Sequence, residues 1–185
     1  MAYYRSLYYS ETPNDFHSQL KINSTTGGEI VTQANVKDFA RIDTSTDDDL
    51  IDRMITQARI VIENYIGKDI VAKNRTYFSF FEKDRFALPF APVSSISSVS
   101  VQGSTATYES KGLDKEIVEL NELPAKEIEV TYITTGLDDS LLKQAIIQLA
   151  ATYYDNRSDF VTGKTVAEVP TNVKSQLSSY KNTFI

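Results

Sequence analysis

A stripe of apolar residues at helical spacing is the feature that most restricts how this chain can fold. Between Leu50 and Ile66, apolar side chains recur every three or four positions, which places them along one face of an α-helix. Aspartates occupy positions 47–49, where the positive end of the helix dipole favours carboxylates. Gly67 follows the stripe, and a left-handed glycine commonly ends a helix. The pattern predicts a helix over about 47–66, with an inward face of Leu50, Ile51, Met54, Ile55, Ala58, Val61, Ile62, Tyr65 and Ile66.

Three further helices are predicted over about 33–41, 139–156 and 170–180. Thr32 is a suitable N-cap for the first of them, and Pro170 is tolerated in the first turn of the last. The second is long and carries a continuous apolar stripe. Its inward residues are expected to be Leu141, Leu142, Ala145, Ile146, Leu149, Ala150, Tyr153 and Tyr154, and those of the first helix Val36, Phe39 and Ala40.

Between residues 74 and 133 the pattern changes from that of helices to that of strands. β-branched and aromatic residues cluster or alternate with polar ones, and Gly103 and Gly112 mark turns. Two prolines make residues 88–92 a rigid connector, since each proline fixes φ and disfavours helix before it. The chain is therefore predicted to have an α+β fold, with two long amphipathic helices and shorter helices packed with a small antiparallel sheet or hairpin region.

The two ends of the chain differ in composition from the part between them. Residues 1–31 are first rich in tyrosine and then polar, and we interpret them as an extended arm that could hold a strand. Residues 182–185 form a short tail with apolar side chains at its end. The intervening residues, 32–181, are expected to form a single α+β domain.

Composition argues against the commonest kinds of catalytic site. The absence of cysteine excludes disulfides, thiolate metal sites and a cysteine nucleophile. The single histidine, His17, excludes a multi-histidine metal site and argues against an intramolecular Ser-His-Asp triad. A net charge of −6 makes the chain a poor candidate for wrapping phosphate backbones. No catalytic, metal-binding or cofactor-binding residue is predicted, and neither a targeting signal nor a membrane span is expected.

Several residues could carry chemistry, and each has a structural interpretation that we prefer. The aspartates at 47–49 point in different directions on a helix, which favours capping over metal binding. Glu127 and Glu129 are expected on one face of a strand, where they could form an acid–base pair or a solvated edge. His17 is expected on the surface. The core is expected to contain Phe78, Phe80, Phe81, Tyr153 and Tyr154, although tyrosine also favours interfaces.

The order of segments from about residue 31 to residue 181 resembles a known family. The matching segments are, in sequence, VKDFARID at 36–43, DDDLI at 47–51, IENYIGK at 62–68, LPFAPV at 88–93 with Ile96 and Val99, VTY at 130–132, LKQAI at 142–146, YYDNR at 153–157, Val169 with Pro170, and Tyr180 with Lys181. This arrangement is similar to the head–tail connector (adaptor) family of tailed double-stranded DNA phages and prophages. The tyrosine-rich arm and the apolar tail are departures from the family pattern.

The resemblance implies a structural role without enzymatic activity or cofactors. Proteins of this family assemble in the host cytoplasm into a ring, commonly of twelve copies, under the portal of the filled capsid. The ring lies in the neck of the virion, extends the DNA channel and docks stopper or tail-completion proteins. DNA passes through without sequence-specific binding, which agrees with an acidic chain, and no membrane is involved.

The ends of the chain are the expected partner contacts. Tyr180 and the apolar tail of Thr183, Phe184 and Ile185 are expected to contact the portal. The arm is expected to contact a neighbouring subunit or a later neck protein through Tyr3, Tyr4, Tyr8 and Tyr9. The alternatives are another ring of the same neck, such as a stopper or tail-completion protein, and a small hydrolase that uses paired carboxylates.

Overall fold

Two compact units make up the chain in the computed structural model, which describes residues 4–5, 18–121, 124–156 and 171–181. The helical unit comprises Gly28–Ile70 and Leu137–Ile185, and the strand unit comprises Met1–Gly27 and Val71–Gly136. Helices and antiparallel sheets occupy different parts of the chain, so the predicted α+β class is confirmed. The division expected from the sequence, into 1–31, 32–181 and 182–185, differs from these two units.

Within the described residues, the helical unit contains four α-helices and a 3₁₀ turn. Helix α3 packs against each of the other three helices, and α1 also packs against α2. Because α3 is apolar on most of its sides, it can be enclosed by its neighbours. The helices are α1 at Gln33–Ala40, α2 at Asp48–Ile66, α3 at Ser140–Asp155 and α4 at Thr171–Leu177, which continues into the 3₁₀ turn at Ser178–Tyr180.

Side-chain and backbone caps determine where the helices begin and end. Thr32 caps α1 in a reciprocal pair with Asn35, since each residue's backbone N–H donates to the other's side-chain oxygen, at 3.0 and 3.3 Å. Gly67 ends α2 with φ 69°, a left-handed conformation that favours glycine. Asp139 begins α3, because its carboxylate accepts the Leu141 N–H at 2.7 Å. Thr32 and Gly67 are therefore confirmed as caps.

One hydrophobic cluster forms the core of the helical unit. It is built from the inward faces of all four helices and from apolar residues just before α1 and just after α2. Its buried members account for most of the two predicted stripes, but Leu141, which was also expected to face inward, is 39% exposed. The buried residues are Val31, Val36, Ile51, Met54, Ile55, Ala58, Ile62, Ile66, Ile70, Leu142, Ala145, Ile146, Leu149, Ala150, Val173 and Leu177.

In its described part, the strand unit consists of two antiparallel sheets. The larger has the order β1-β2-β3-β9-β5-β6 and the smaller has the order β4-β8-β7. Strand β9, the last strand of the large sheet along the chain, lies between β3 and β5 in space. The strands are β1 at Tyr4–Arg5, β2 at Ser18–Thr25, β3 at Lys73–Ser79, β4 at Arg85–Ala87, β5 at Val93–Val101, β6 at Ser104–Thr105, β7 at Tyr108–Lys111, β8 at Ile117–Leu120 and β9 at Ile128–Thr134.

The inner faces of the two sheets share a second hydrophobic core. Burial alternates along β3 and β9, as expected for strands with one covered face. Tyr132 is fully buried there, and its hydroxyl donates to the Pro89 carbonyl oxygen at 2.7 Å, which satisfies its polar end. The buried apolar residues are Tyr77, Phe86, Leu88, Val93, Val99, Val118, Leu120, Ile128, Val130 and Tyr132.

Part of the expected arm belongs to the large sheet. Within residues 1–31, β2 pairs with β3 along most of its length, and β1 pairs Tyr4 with Leu20 and Arg5 with Gln19. Leu20 and Ile22 alternate with more exposed polar residues, a pattern that suits a strand with one covered face. Residues 18–25 are therefore a sheet strand, and only the residues before them remain candidates for an extended arm.

Candidate interaction surfaces

Two of the three aspartates at 47–49 are bonded to other helices of the helical unit. Asp47 precedes α2 without a side-chain cap bond, and its Oδ2 accepts the Tyr154 hydroxyl at 2.7 Å. Asp48 Oδ1 accepts the Lys37 ammonium at 2.6 Å. No cluster of three or more potential metal-ligating side chains occurs among the residues that the structure describes. In the same residues, no helix is long and apolar enough to span a bilayer.

The predicted pairing of Glu127 and Glu129 on one strand face is wrong. Strand β9 begins at Ile128, and Glu127 before it has φ 55°, so the alternation of strand side chains does not extend to it. Glu129 alone lies in the strand, opposite Phe78 and Ser100. His17, the other candidate for acid–base chemistry, lies outside the described residues.

A buried ion network that the sequence analysis missed joins the start of the helical unit to α2. The Arg59 guanidinium donates to Glu29 from Nε and to Glu63 from Nη1, both at 2.8 Å. Glu63 also accepts the Ile70 N–H at 2.9 Å. Burial acts to lower the pKa of Arg59, but the two carboxylates outweigh it and the pKa is raised. The signal was available, since residues 59 and 63 are charged positions within an apolar stripe.

Tyr180 and Lys181 are held against the helical unit, next to the predicted apolar tail. The Tyr180 hydroxyl hydrogen-bonds to Asp139, the N-cap of α3, and the Lys181 ammonium lies 3.8 Å from the centre of the Tyr65 ring. Partial burial and then the Asp139 carboxylate raise the pKa of Tyr180 to about 12. The hydrogen bonds from Tyr180 and from the Leu141 N–H lower the pKa of Asp139. The end of the 3₁₀ turn therefore has a defined position on the unit.

The other predicted contact residues fall mainly outside the described part of the chain. Tyr4 forms β1 with Arg5, at the edge of the large sheet. The structure does not describe Tyr3, Tyr8 and Tyr9 of the arm, or Thr183, Phe184 and Ile185 of the tail. Tyr153 and Tyr154 are half-buried against the helical core, and burial raises the pKa of Tyr153.

Three aromatic residues expected in a core are exposed. Phe39 in α1 is 50% exposed, and Phe80 and Phe81 are 47% and 43% exposed. Strand β3 ends at Ser79, so the strand alternation that would bury one of the two last rings stops before them. The Phe80 ring instead contacts Phe78 edge to face, with ring centres 4.6 Å apart. We call Phe78, Phe80 and Phe81 the aromatic patch.

Leu113 is the most exposed large apolar residue among those described, at 103% relative exposure. It lies at the tip of the β7–β8 hairpin, next to Gly112, which has φ 92°. The sequence analysis identified the glycine turn and did not single out the leucine. The turn holds this apolar side chain fully in water, so packing it against a partner would remove apolar area from water.

Solved structures with the same fold come from gene transfer agent particles. A chain from the neck of an empty particle, computed with C6 symmetry, is 20% identical over 90% of this chain and 96% of that chain, with a TM-score of 0.69. A chain from the virion of the native particle is 19% identical over the same shares, with a TM-score of 0.68. A third, from the neck of the native particle computed with C12 symmetry, is 16% identical over 90% and 96%, with a TM-score of 0.66.

Sequence comparison gives the family. No curated protein matches the chain significantly. The family of head completion proteins does match, over residues 29–183, which include all of the strand unit after Gly27 and all of the helical unit except Gly28 and the last two residues. Because this match covers most of the sequence, the chain belongs to the head completion protein family.

Proposed function

We propose that this head completion protein is a head–tail connector that forms a ring under the portal of a phage-like particle. In that position it extends the DNA channel and docks stopper or tail proteins. The observation that carries the proposal is the family match over 29–183, together with a shared fold over 90% of the chain with neck chains. Two of those necks were computed with C6 and C12 symmetry, which supports a ring here and is compatible with twelve copies.

The helical unit favours a connector over the other neck proteins. Two long helices and two shorter ones give the unit a rigid core with two flanks for neighbours in a ring. A stopper or tail-completion protein is the second candidate, because the strand unit is built only of strands in its described part. The two candidates differ in what they bind first, since a connector binds the bare portal and a stopper binds the connector.

The proposed role requires no catalytic residue. Three of the described carboxylates are hydrogen-bonded within the fold, since Asp47 accepts from Tyr154, Asp48 from Lys37 and Glu63 from the Ile70 N–H. A net charge of −6 repels DNA phosphates, so a channel that this chain extends lets DNA slide without retaining it. We therefore propose a structural protein of the virion neck, assembled in the host cytoplasm, without a cofactor.

We propose further that the tail contacts the portal. The Asp139–Tyr180 hydrogen bond and the Tyr65–Lys181 contact give the tail a defined starting point on the helical unit. Beyond it, Thr183, Phe184 and Ile185 supply apolar area that a partner can bury. Deleting residues 182–185 is expected to abolish binding to purified portal, and unchanged binding would overturn this contact.

The arm is the second proposed contact. Tyr3, Tyr4, Tyr8 and Tyr9 would hold a neighbouring subunit or a later neck protein, with Tyr4 starting from the edge of the large sheet. Limited proteolysis tests it. We expect cleavage before residue 18 in the free chain and protection in the assembled neck, whereas equal cleavage in both would exclude the arm as a contact.

Complementation of tail-less heads tests the connector role itself. Particles assembled without this chain are expected to contain DNA-filled heads with bare portals and no tails. Adding the purified chain with stopper and tails should restore complete particles, and omitting the chain should not. Restoration by stopper and tails alone would contradict the proposal.

A further inference from the structure

Two exposed apolar features occur among the described residues of the strand unit, and they differ in shape. One is the single protruding side chain of Leu113 at the β7–β8 tip, and the other is the broader aromatic patch at the end of β3. None of their side chains is a buried member of the core that the two sheets share, although Tyr77, next to the aromatic patch in the sequence, is. Each therefore has apolar area left for a contact outside the unit.

The hairpin tip holds Leu113 in a fixed position. The Lys115 N–H donates to the Gly112 carbonyl at 3.4 Å, and the Asp114 N–H donates to Glu116 Oε2 at 3.0 Å. The tip is also attached to the rest of the unit, because the Val93 N–H donates to the Asp114 carbonyl at 2.8 Å. A side chain on such a turn loses little conformational freedom when it binds.

The register of the large sheet places the two features at opposite ends of the strands. Ser79, directly before Phe80, pairs with Ile128 at the start of β9. Val93, which binds the hairpin tip, pairs with Thr134 at the end of β9. At about 3.3 Å per residue, the two ends of β9 are roughly 20 Å apart. The leucine and the aromatic patch of one copy therefore cannot contact each other.

We propose that Leu113 of one copy packs onto the aromatic patch of the next copy. The occupant of the patch is then a second copy of this chain, and the contact repeats head to tail. A protruding group and a different receiving surface at opposite ends are what a heterologous interface requires, and such an interface closes into a ring when its rotation allows. This inference rests on the proposed ring and specifies one of its contacts.

Cysteine cross-linking tests the contact directly, because the chain has no cysteine of its own. The Leu113→Cys, Phe80→Cys double variant is oxidised mildly, both as concentrated free chain and bound to purified portal. A head-to-tail contact brings the two different cysteines of neighbouring copies within disulfide range. We expect a ladder of covalent species above the dimer, whereas each single variant can reach no more than a dimer.

Three results would overturn the inference. One is the absence of species above the dimer in both samples of the double variant. Another is efficient dimerisation of the Leu113→Cys single variant, which would mean that the tips meet each other. The third is a loss of reactivity of the Leu113→Cys thiol when a single copy binds the portal, which would mean that the tip contacts the portal and not another copy. If the double variant still joins the portal in several copies without a ladder, the contact is wrong while the connector role stands; if nothing joins the portal, the connector role fails as well.

A charge at the tip provides a second test with a matched control. Leu113→Asp is expected to weaken self-association by about tenfold or more, since the contact would bury a leucine side chain. Ser98→Asp introduces the same charge at an exposed position in the middle of β5, away from both features, and is expected to leave self-association unchanged. Sedimentation over a range of concentrations measures both, with circular dichroism to verify folding. Equal effects of the two substitutions would overturn the inference.

Discussion

At the scale of single residues, buried charges and their partners were the hardest features to infer from the sequence. Apolar spacing alone located most of the inward residues of α2, but Arg59 and Glu63 occupy the same face and are buried as an ion pair. Their third partner, Glu29, is thirty positions away from Arg59 along the chain, so no local pattern could reveal it. Phe39 was wrongly predicted to face inward for a different reason, because a helix of eight residues has too few turns to define its buried side.

The buried network predicts a large loss of stability on removal of one partner. Glu63→Ala leaves the Arg59 guanidinium and the Ile70 N–H without that carboxylate in a buried site, so we expect a loss of about 3–5 kcal/mol in the free energy of unfolding. The matched control is Asp138→Ala, which breaks the exposed pair with Lys143 and should cost less than about 1 kcal/mol. Urea unfolding measures both, and similar losses would show that the network contributes little.

The Tyr180 hydroxyl gives the second prediction at this scale, a loss of stability in strong alkali. The pKa of Tyr180 is raised to about 12 in the folded chain, so its contribution is fully present below the ordinary tyrosine value of about 10 and is lost as pH rises through 12. Tyr180→Phe removes this group. Between pH 10 and 12 we therefore expect the wild-type chain to lose stability more steeply than the variant, and parallel curves would contradict the hydrogen bond to Asp139.

At the scale of elements, periodicity predicted helices and strands better than their ends. The two stripes predicted the long helices, and the glycines at 67, 103 and 112 each have the positive φ of a turn or a cap. The end of β3 at Ser79 was not visible, because Phe80 and Phe81 continue the aromatic run that a strand favours. The residues of β2 were assigned to an extended arm, because the polar residues around Leu20 and Ile22 hide the alternation of a sheet strand.

The β7–β8 turn predicts a difference between two glycine substitutions. Gly112 and Gly103 both have positive φ, at 92° and 78°, so alanine is strained at either position. A Cβ at Gly112 would also overlap the Glu116 carboxylate, which then gives up its bond from the Asp114 N–H, whereas Gly103 has open space. We expect Gly112→Ala to cost about 1 kcal/mol more than Gly103→Ala in thermal unfolding. Equal losses of stability would mean that the Glu116 side chain moves aside at no cost in free energy.

At the scale of the whole molecule, the order of segments predicted more than any single site did. The resemblance to phage head–tail connectors is confirmed by membership of the head completion protein family and by the fold shared with neck chains. No single group of residues indicated this family, because the function of a neck protein depends on its contact surfaces and not on a catalytic site. Surfaces are poorly predicted from one sequence, since an exposed leucine such as Leu113 has no periodic signature.

The solution mass of the chain, with and without purified portal, tests the connector role most directly. We expect the chain to be a closed oligomer already, or a monomer that joins the bare portal in a fixed multiple compatible with a sixfold or twelvefold ring. Mass photometry or light scattering gives the number of copies. A chain that stays monomeric and leaves the mass of the portal unchanged would contradict the account, and binding only after another neck protein has been added would assign it to the stopper position.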